Sequence, residues 1–275
     1  MTRRLDWRHV IDEARLIVES YETRVTLRQL FYRLVSAQVI PNTASAYKTL
    51  SDRTAEARRN GTFPDLLDQT REIHQPYSYR SPRQAVEELI DEYRLDRLAG
   101  QSETVCLGVE KATVQAQLED WFSDRGVPIF VLRGYTSQSY VGEVRQHVAS
   151  YHRPAVLLYA GDFDPSGEDI GRDFVQRTGG WAHVVRVALS RDQVEEFRLP
   201  INPGKASDSR ASAFMERHGG LYQVELEALE PETLRQEFEN GLRVFWDHEP
   251  FEGVLRQEDT DRTRLRATLD IVRSK

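Results

Sequence analysis

The sequence predicts an α/β protein in which a parallel β-sheet, covered by helices on both faces, follows a mostly helical N-terminal domain. Two observations support this class. From Thr104 onward, short apolar segments alternate with amphipathic segments of helical length, which is typical of consecutive β–α units. The apolar segments are hydrophobic almost without interruption, as expected for strands that are covered on both faces of a sheet.

The composition indicates a globular protein and excludes several classes of site. Of the 275 residues, 39% are apolar and 29% are charged, and no apolar run approaches the roughly 20 residues that span a bilayer. The N-terminal segment lacks the apolar core of a signal peptide. The single cysteine, Cys106, excludes an internal disulfide framework and a zinc site built from cysteines. We therefore expect a cytoplasmic protein with no membrane partner.

The N-terminal domain, residues 1–80, is expected to contain three consecutive helices, over 5–20, 25–38 and 42–61. The second begins with a capping box formed by Thr26 and Gln29, and the third stops at Gly61. Two helices joined by a short turn and followed by the wing-like extension 62–73 resemble a helix-turn-helix with a wing. We therefore expect a winged-helix-like domain that binds DNA.

Charge is unevenly distributed along the chain. The net charge is −7, but residues 24–83 carry ten Lys or Arg against five Asp or Glu. A basic region joined to an acidic one fits binding of a phosphate backbone by the first and of a metal ion by the second. The candidate DNA-binding residues on or beside the third helix are Lys48, Arg53, Arg58 and Arg59. The alternative is chance clustering of charges on solvated helices.

Residues 81–103 are expected to form a connecting helix, over 81–98, and a short linker before the second domain, residues 104–275. The strands of that domain are expected at 104–109, 128–134, 155–161 and 183–189. The helices between them are expected at 112–126, 138–151 and 167–180. From residue 199 onward we expect a loop followed by helices.

Three acidic residues directly follow two of the predicted strands. Glu110 follows the first strand, and Asp162 and Asp164 follow the third. Ligands of open parallel sheets bind at the carboxyl ends of the strands, so we expect the three carboxylates to meet at one edge. Without a partner, the three carboxylates would repel one another, and this repulsion would raise their pKa values. A hard divalent cation such as Mg²⁺ or Mn²⁺ would remove the repulsion. All three are candidate metal ligands, and Glu110 is also a candidate general acid or base.

Two other interpretations of the aspartate pair remain open. The segment after the third strand fits a calcium loop loosely, with candidate positions at Asp162, Asp164, Ser166, Gly167 and Asp173. However, a strand precedes this segment where that motif has a helix, and its last position is not glutamate. Alternatively, the Asp, Pro and Gly residues form a turn that caps the following helix.

Two motifs resemble a Toprim domain, which has a glutamate after its first strand and an Asp-x-Asp after a later one. The motifs are Val109-Glu110-Lys111-Ala112 and Asp162-Phe163-Asp164-Pro165-Ser166-Gly167. More narrowly, they resemble the A subunit of type IIB DNA topoisomerases (topoisomerase VI) and its relatives, the meiotic double-strand-break proteins. Val224–Leu229 is similar to a further segment of that family, and the chain resembles its compact, stand-alone mini-A members. It departs from the family at 134–137, where Gly-Tyr-Thr-Ser replaces Gly-x-Pro-Asp.

A tyrosine in the N-terminal domain matches the nucleophile of that family. The family places it at the end of an Arg-x-x-Tyr/Phe-Tyr motif, and residues 28–32 are Arg-Gln-Leu-Phe-Tyr. On a helix, the apolar residues of this segment form one stripe, and Tyr32 falls off that stripe beside Arg28, one turn earlier. The arginine favours the phenolate form and binds phosphate bidentately. The alternative is a structural tyrosine at the rim of the core.

The resemblance implies a DNA-cleaving transesterase, in which Tyr32 attacks a phosphate of double-stranded DNA and Arg28 orients that phosphate. It also implies a homodimer, because the tyrosine of one subunit in the family works with the metal site of another. The chain has no Gly-rich nucleotide loop, so an ATPase would be a separate subunit. Further candidate DNA contacts are Lys111 and, in the stretch 199–210, Lys205 and Arg210, for which a solvated loop is the alternative.

Two other functions remain open. A Toprim-type nuclease would hydrolyse DNA with water and a metal ion, and would leave Tyr32 a structural role. A non-catalytic DNA-binding protein would keep the fold without turnover, and the altered segment 134–137 and the acidic net charge are compatible with it.

Overall fold

The structure is a computed structural model that describes residues 5–21, 25–67, 76–204 and 207–273. The helices are α1 (Trp7–Glu19), α2 (Leu27–Ser36), α3 (Ala44–Arg59), α4 (Pro82–Glu92), α5 (Ala112–Phe122), α6 (Gln138–Ser150), α7 (Pro165–Thr178), α8 (Arg191–Glu196), α9 (Ala211–His218), α10 (Pro231–Phe245) and α11 (His248–Arg273). The strands are β1 (Thr104–Val109), β2 (Ile129–Val131), β3 (Ala155–Ala160), β4 (Trp181–Ala188), β5 (Asn202–Pro203) and β6 (Tyr222–Gln223). Within these ranges, no helix is both long and apolar enough to cross a membrane.

The N-terminal helices α1, α2 and α3 pack around an apolar core of their own. α2 begins at the predicted capping box: Thr26 Oγ1 accepts a hydrogen bond from Gln29 N (3.2 Å), and Gln29 Oε1 accepts one from Thr26 N (2.8 Å). The buried residues that form the predicted apolar stripe are Leu30, Phe31 and Leu34. The stripe fixes which face of α2 is turned away from the core.

The turn and wing predicted after α2 have a partial counterpart. α3 is capped by the Thr43 side chain and is followed by Gly61 at φ +66°, in agreement with the predicted helix stop. Beyond it, Leu67 forms an isolated parallel bridge with Thr26. Residues 68–73 of the predicted wing lie outside the described residues. The helical part of the predicted domain is observed, and its wing stays a prediction.

Strands β1 to β4 form one all-parallel sheet in the order β2-β1-β3-β4. Central strands β1 and β3 are buried along their whole length, and they pair in register from Thr104 opposite Ala155 to Val109 opposite Ala160. Because the strands are parallel, their carboxyl ends lie along a single edge of the sheet. The residues that follow β1 and β3 are therefore neighbours in space.

Helices cover both faces of the sheet, as predicted. α5 and α10 cover the face that carries Leu107 and Leu158, whereas α6 and α7 cover the face that carries Cys106 and Leu157. Successive strand residues point to opposite faces, so β1 and β3 contribute to two separate cores. Burial on both sides accounts for the continuous hydrophobicity of these strands. The α/β class predicted from the sequence is confirmed.

The connecting segment differs from the prediction in both of its parts. α4 ends at Glu92 instead of continuing to residue 98. The chain beyond it is held by Glu258 of α11, whose Oε1 accepts hydrogen bonds from Leu95 N (3.1 Å) and Arg97 Nε (2.9 Å). The predicted linker 99–103 is anchored as well, because its buried glutamine side chain bonds the backbone just before α11. Tertiary contacts override the helical pattern here.

The chain after β4 returns to the carboxyl edge of the sheet. β5 and β6 pair antiparallel, and Val224, just beyond β6, pairs with Phe163 in the loop after β3. The Phe163–Val224 bridge has both backbone hydrogen bonds, at 2.9 and 3.1 Å. It places the 3-10 helix Leu226–Ala228 between the sheet edge and α2, with which this 3-10 helix makes close contact.

Candidate functional site at the carboxyl edge of the sheet

Glu110 and Asp162 lie side by side where β1 and β3 end. Glu110 N donates to Ala160 O (3.2 Å), which continues the β1–β3 pairing, and Asp162 N donates to Glu110 Oε2 (3.1 Å). Arg186 of β4 holds the turn from the other side, because its Nη2 donates to the carbonyl oxygens of Gly161 (3.1 Å) and Asp162 (2.7 Å). The structure thus brings Glu110 and Asp162 into direct contact, as the sequence predicted.

Asp164 has a structural role in this arrangement. It is the N-cap of α7, and its Oδ1 accepts a hydrogen bond from Gly167 N (2.7 Å). The helix-cap interpretation of this segment is therefore correct for Asp164. The calcium-loop interpretation is wrong, because α7 already begins at Pro165, and residues 166 to 173 are helical and do not wrap around an ion.

Lys111 is surrounded by carboxylates. Its Nζ lies 2.8 Å from Asp162 Oδ2 and 3.6 Å from Glu227 Oε2, and it also bonds Glu225 Oε2. Only 19% of the side chain is exposed. Lys111 was predicted to contact DNA phosphate; in this structure its charge is instead directed into the chain.

Glu225 and Glu227 are the two acidic residues of the segment that resembles the topoisomerase family, and the sequence pattern predicted no role for either. Glu227 is fully buried, and Glu225 is 12% exposed. The Val224 bridge positions both residues, and Leu226 N between them donates to Asp162 Oδ1 (2.8 Å). Two glutamates spaced two apart in an otherwise apolar segment were the available signal, but their partners lie far away in the sequence.

α2 contributes Tyr32 and Arg28 to the same site. Arg28 Nη2 lies 2.7 Å from Glu225 Oε2, and its Nε lies 2.8 Å from Glu227 Oε2. The guanidinium carbon is 5.7 Å from the centre of the Tyr32 ring, on the side of the helix away from the apolar stripe. The predicted adjacency of the two side chains is confirmed.

The Tyr32 phenol is held in its neutral form. Burial raises its pKa to about 12, and the charge and hydrogen-bonding contact of the Glu225 carboxylate act in the same direction. Arg28 and Lys111 act to lower it, as predicted for the arginine, but the opposing effects are larger. Any reaction of this hydroxyl as a nucleophile therefore needs a group that removes its proton.

Glu110, Asp162 and Asp164, at the carboxyl ends of β1 and β3, form an acidic edge of the sheet. Lys111 offsets only part of its negative charge. Burial raises the pKa of Asp162 to about 7, although Lys111 acts to lower it. Burial also raises the pKa of Glu110, and the charge of Asp164 adds to that effect. Such buried oxygen donors have the chemistry that a hard cation such as Mg²⁺ requires.

Their geometry is not that of a closed metal site. Among the described residues, no group of three or more His, Cys, Asp or Glu side chains is arranged to hold a metal ion. Asp162 uses one oxygen on Lys111 and the other on a backbone N–H, and Asp164 uses one oxygen as a helix cap. The donor set fits a divalent cation, and the Lys111 ammonium competes with it for Asp162.

A cavity of about 400 Å³ opens beside the tyrosine, between α2 and the start of α3. Its lining includes Arg28, Tyr32, Asn42 and Tyr47. Phe31 packs edge-on against Tyr32 and Tyr47, with ring centroids 5.3 and 5.1 Å apart. The cavity gives a ligand access to the tyrosine from the N-terminal domain.

The basic residues predicted on the third helix do not form one surface. Lys48, Arg53 and Arg59 are exposed, whereas Arg58 is half-buried and its Nε donates to the α3 backbone (3.3 Å). At about 100° per residue, Lys48 and Arg59 share one side of α3, and Arg53 is turned away by about 140°. Arg53 lies 3.8 Å from Glu56 on its own side. Lys48 and Arg59 remain as a candidate phosphate-binding pair.

Arg210 is bound within the chain. Its Nε donates to Asp208 Oδ1 (2.8 Å), and its Nη1 donates to the Tyr135 hydroxyl (2.7 Å). Tyr135 belongs to the loop that departs from the family pattern, and Ser137 of that loop caps α6. The altered loop is thus connected to the predicted DNA contact at Arg210. Lys205, the other predicted contact of this region, lies outside the described residues.

Asp162 is expected to make stability fall with rising pH. A carboxyl group whose pKa is higher in the folded than in the unfolded state binds more protons when the protein is folded. For Asp162, the free energy of unfolding therefore falls as pH rises from about 4 to about 7. Asp162→Asn removes this contribution. Relative to wild type, its free energy of unfolding should therefore increase by a few kcal/mol between about pH 5 and about pH 8. Urea unfolding without divalent metal measures the difference, and a constant difference would mean that Asp162 is ionised throughout.

The site joins three parts of the chain. α2 contributes Tyr32 and Arg28, and the ends of β1 and β3 contribute Lys111 and Asp162. The segment before α10 contributes Glu225, which contacts the other two parts. Comparison with protein families and with curated proteins finds no match for the chain.

Proposed function

We propose that the protein is a cytoplasmic, DNA-cleaving transesterase in which Tyr32 is the nucleophile. One observation carries the proposal: within one chain, Arg28 beside the Tyr32 ring pairs with Glu225, and Glu225 shares Lys111 with Asp162. A tyrosine and an acidic edge from distant parts of the sequence thus share one site. Phosphoryl transfer to a tyrosine needs a nucleophilic hydroxyl and positive charge on the phosphate; Tyr32 would supply the first, and Arg28 with an ion at the acidic edge the second.

The sequence resemblance supports the same reaction. The motifs at 28–32, 109–112 and 162–167 are similar to those of the type IIB topoisomerase A subunit. In line with that resemblance, we propose that the N-terminal domain is of the winged-helix type and that the sheet domain is of the Toprim type. The all-parallel sheet with helices on both faces is compatible with the second assignment.

In this proposal, Arg28 binds the scissile phosphate. Its side chain is 45% exposed although it pairs with Glu225 and Glu227, so part of the guanidinium faces solvent beside Tyr32. A guanidinium binds phosphate oxygens bidentately and stabilises the charge that grows on them in the transition state. The two glutamates fix its orientation before DNA arrives.

Mg²⁺ or Mn²⁺ is part of the proposal, with Glu110, Asp162 and Asp164 as the residues that would hold it. When bound, the ion would supply positive charge to the transferring phosphate. Because Lys111 competes for Asp162, we expect tight metal binding only when a DNA phosphate adds its own oxygen ligands.

The proposed partner is double-stranded DNA. The cavity beside Tyr32 gives a strand access to the phenol, and Lys48 and Arg59 on α3 lie exposed to bind the flanking phosphates. The resemblance adds a homodimer and a separate ATPase subunit to the proposal. Because Tyr32 and Asp162 are linked within one chain here, we expect mixtures of Tyr32→Phe and Glu110→Ala proteins to recover no cleavage. Recovery would show that the sites are shared between subunits, as in the family that the sequence resembles.

Tyr32→Phe is expected to abolish the covalent attachment of DNA to the protein. Supercoiled plasmid is incubated with protein and Mg²⁺ or Mn²⁺, the reaction is stopped with detergent, and DNA bound to protein is measured. Wild type should form the adduct, and Tyr32→Phe should reduce it by at least ~1,000-fold because the oxygen that bonds to phosphorus is removed. Tyr47→Phe, which changes the neighbouring tyrosine of the same cavity, should retain it. An adduct in Tyr32→Phe would contradict the proposal.

A hydrolytic nuclease is the second candidate. The observation that favours it is the neutral state of Tyr32, whose pKa of about 12 makes the phenol a poor nucleophile without a base. In that case the acidic edge would act with water, and the same assay would show equal cleavage in wild type and Tyr32→Phe without attached protein. DNA binding without any cleavage would indicate the non-catalytic alternative.

A further inference from the structure

We propose that Glu225 is a further catalytic residue, whose carboxylate accepts the phenolic proton of Tyr32 while the tyrosine oxygen attacks phosphorus. The assignment rests on the proposed function, since it supplies the proton acceptor that the proposed nucleophile requires. The sequence made Glu110 a candidate general acid or base, whereas in the structure it is Glu225 that shares Arg28 with Tyr32.

Geometry places Glu225 at the tyrosine. The Phe163–Val224 bridge fixes the backbone next to it, and the 3-10 helix that begins at Leu226 packs against α2. Arg28 lies beside both groups: its guanidinium carbon is 5.7 Å from the centre of the Tyr32 ring, and its Nη2 is 2.7 Å from Glu225 Oε2. The Glu225 carboxylate is close enough to the phenol to raise its pKa by charge and as a hydrogen-bond acceptor. The Glu225 side chain is only 12% exposed, so bulk water has little access to the carboxylate. The acceptor is thus held in position by backbone pairing and by packing against α2.

The surrounding charges keep Glu225 ionised. Arg28 of α2 lies 2.7 Å from its Oε2, and Lys111, which precedes α5, bonds the same oxygen. Burial acts to raise the pKa of Glu225, but the two cations hold it below its usual value. Two further carboxylates face the cluster: Glu227, which shares Arg28, and Asp162, which shares Lys111. Glu225 is therefore a free base near neutral pH.

The proposed step conserves atoms and charge. The phenolic O–H bond breaks, its proton passes to a Glu225 oxygen, and the electron pair left on the Tyr32 oxygen forms the bond to phosphorus. The bond from phosphorus to one deoxyribose oxygen breaks with its electron pair, and that oxygen takes a proton from solvent water. A weakly basic carboxylate suffices, because the phenol becomes far more acidic as its oxygen bonds to phosphorus.

The test is the pH profile of adduct formation by the full-length protein on plasmid DNA, from about pH 7.5 to about pH 9.5. Wild type should be nearly independent of pH in this range. Glu225→Gln should be about 100-fold slower at the lower end and should accelerate about tenfold per pH unit, because hydroxide must now generate the phenolate. Glu225→Asp keeps the base and should remain independent of pH, at a lower rate.

Glu227→Gln is the matched control, since it makes the same substitution two residues away, on a side chain that pairs with the same Arg28. A merely structural role of this segment would slow both Gln variants without changing either profile. The second readout needs no DNA. The titration step that is lost in Tyr32→Phe belongs to Tyr32, and the pKa of that step should fall in Glu225→Gln. Removing one negative charge leaves Arg28 and Lys111 to favour the phenolate.

The outcomes separate the two proposals. If wild type forms no adduct, the proposed function and the role of Glu225 both fail. If wild type forms the adduct and Glu225→Gln has an unchanged pH profile, only the role of Glu225 fails. Near-ultraviolet circular dichroism verifies that each variant is folded. If Glu225→Gln does not fold, Glu225→Asp decides, because a profile that rises with pH in that variant would also contradict the proposal.

Discussion

Gly167→Ala is expected to abolish DNA cleavage and to destabilise the protein by about 2 kcal/mol, because the new methyl group enters the acidic edge. A Cβ at this position would lie 2.4 Å from the Asp162 carbonyl oxygen and 3.0 Å from Glu110 Oε2. The carbonyl belongs to the backbone and cannot rotate away, so α7 or the turn after β3 has to move. Such a shift separates Glu110 from Asp162 and displaces the backbone that positions both.

The same substitution at Gly142 is the matched control. Gly142 is an exposed residue within α6, and nothing lies within 4 Å of the position that its Cβ would occupy. Alanine should stabilise the helix there by about 0.5–1 kcal/mol, since it loses less backbone freedom than glycine. Urea unfolding and the adduct assay measure both variants. Equal behaviour of the two would show that the contact of Gly167 with the acidic edge is loose.

Glu258→Ala is expected to lower the free energy of unfolding by about 3–5 kcal/mol, the usual range when one partner of a buried ion pair is removed. The Glu258 side chain is fully buried, and Arg97, only 9% exposed, bonds it through Nε (2.9 Å) and Nη2 (2.7 Å). Arg262 adds a third contact at 3.0 Å, and the Leu95 N–H a fourth at 3.1 Å. Alanine would leave Arg97 buried without its partner.

Glu252→Ala on the same helix is the control, since Glu252 is 63% exposed and lies 3.5 Å from Arg256. A pair of this kind contributes at most about 0.5 kcal/mol, so this variant should unfold almost like wild type. The cost of losing Glu258 also depends on pH. Hydrogen bonding to Arg97 lowers the pKa of Glu258, so its contribution is present above the ordinary pKa of glutamate and is lost as pH falls. An effect of Glu258→Ala below about 1 kcal/mol would contradict the burial of the pair.

The secondary structure could be predicted where the pattern is local. β1 coincides with its predicted range, and α2 begins at the capping box that the sequence indicates. The prediction fails after α4, where a helical pattern continues but the helix ends at Glu92. After Glu92 the backbone binds Glu258 instead of continuing the helix. Because Glu258 lies far along the chain, a local sequence pattern cannot predict this contact.

The residues of the candidate site also fall into those that the sequence could place and those that it could not. Glu110 and Asp162 could be predicted to meet, because parallel strands end at one edge and both residues directly follow a strand. Tyr32 could be placed beside Arg28, because one helical turn separates them. Asp164 was expected to join the carboxylates on the same grounds. Its charge does act on Glu110, but one of its oxygens also caps α7, since the first N–H groups of a helix need an acceptor.

Other features depended on the tertiary structure alone. Glu225 and Glu227 could not be linked to Tyr32 from the sequence, because a loop of irregular structure and two two-residue strands set their position. Lys111 stands next to Glu110 in the sequence, yet its charge is directed to Asp162 and Glu225. Ion pairs between distant segments depend on where the fold places the backbone of each segment, so a local sequence pattern cannot predict them.

The sequence by itself determined the fold class, the alternation of strands and helices along the chain from β1 to β4, and the position of acidic residues at a strand end; it did not predict α8, β5 or β6. These follow from hydrophobic periodicity and from the geometry of parallel strands, which act over a few residues at a time. Only the tertiary structure decided that the tyrosine and the acidic edge form one site. That contact depends on Glu225, which is brought between Arg28 and Lys111 by a bridge between Phe163 and Val224, and no local rule encodes such a bridge.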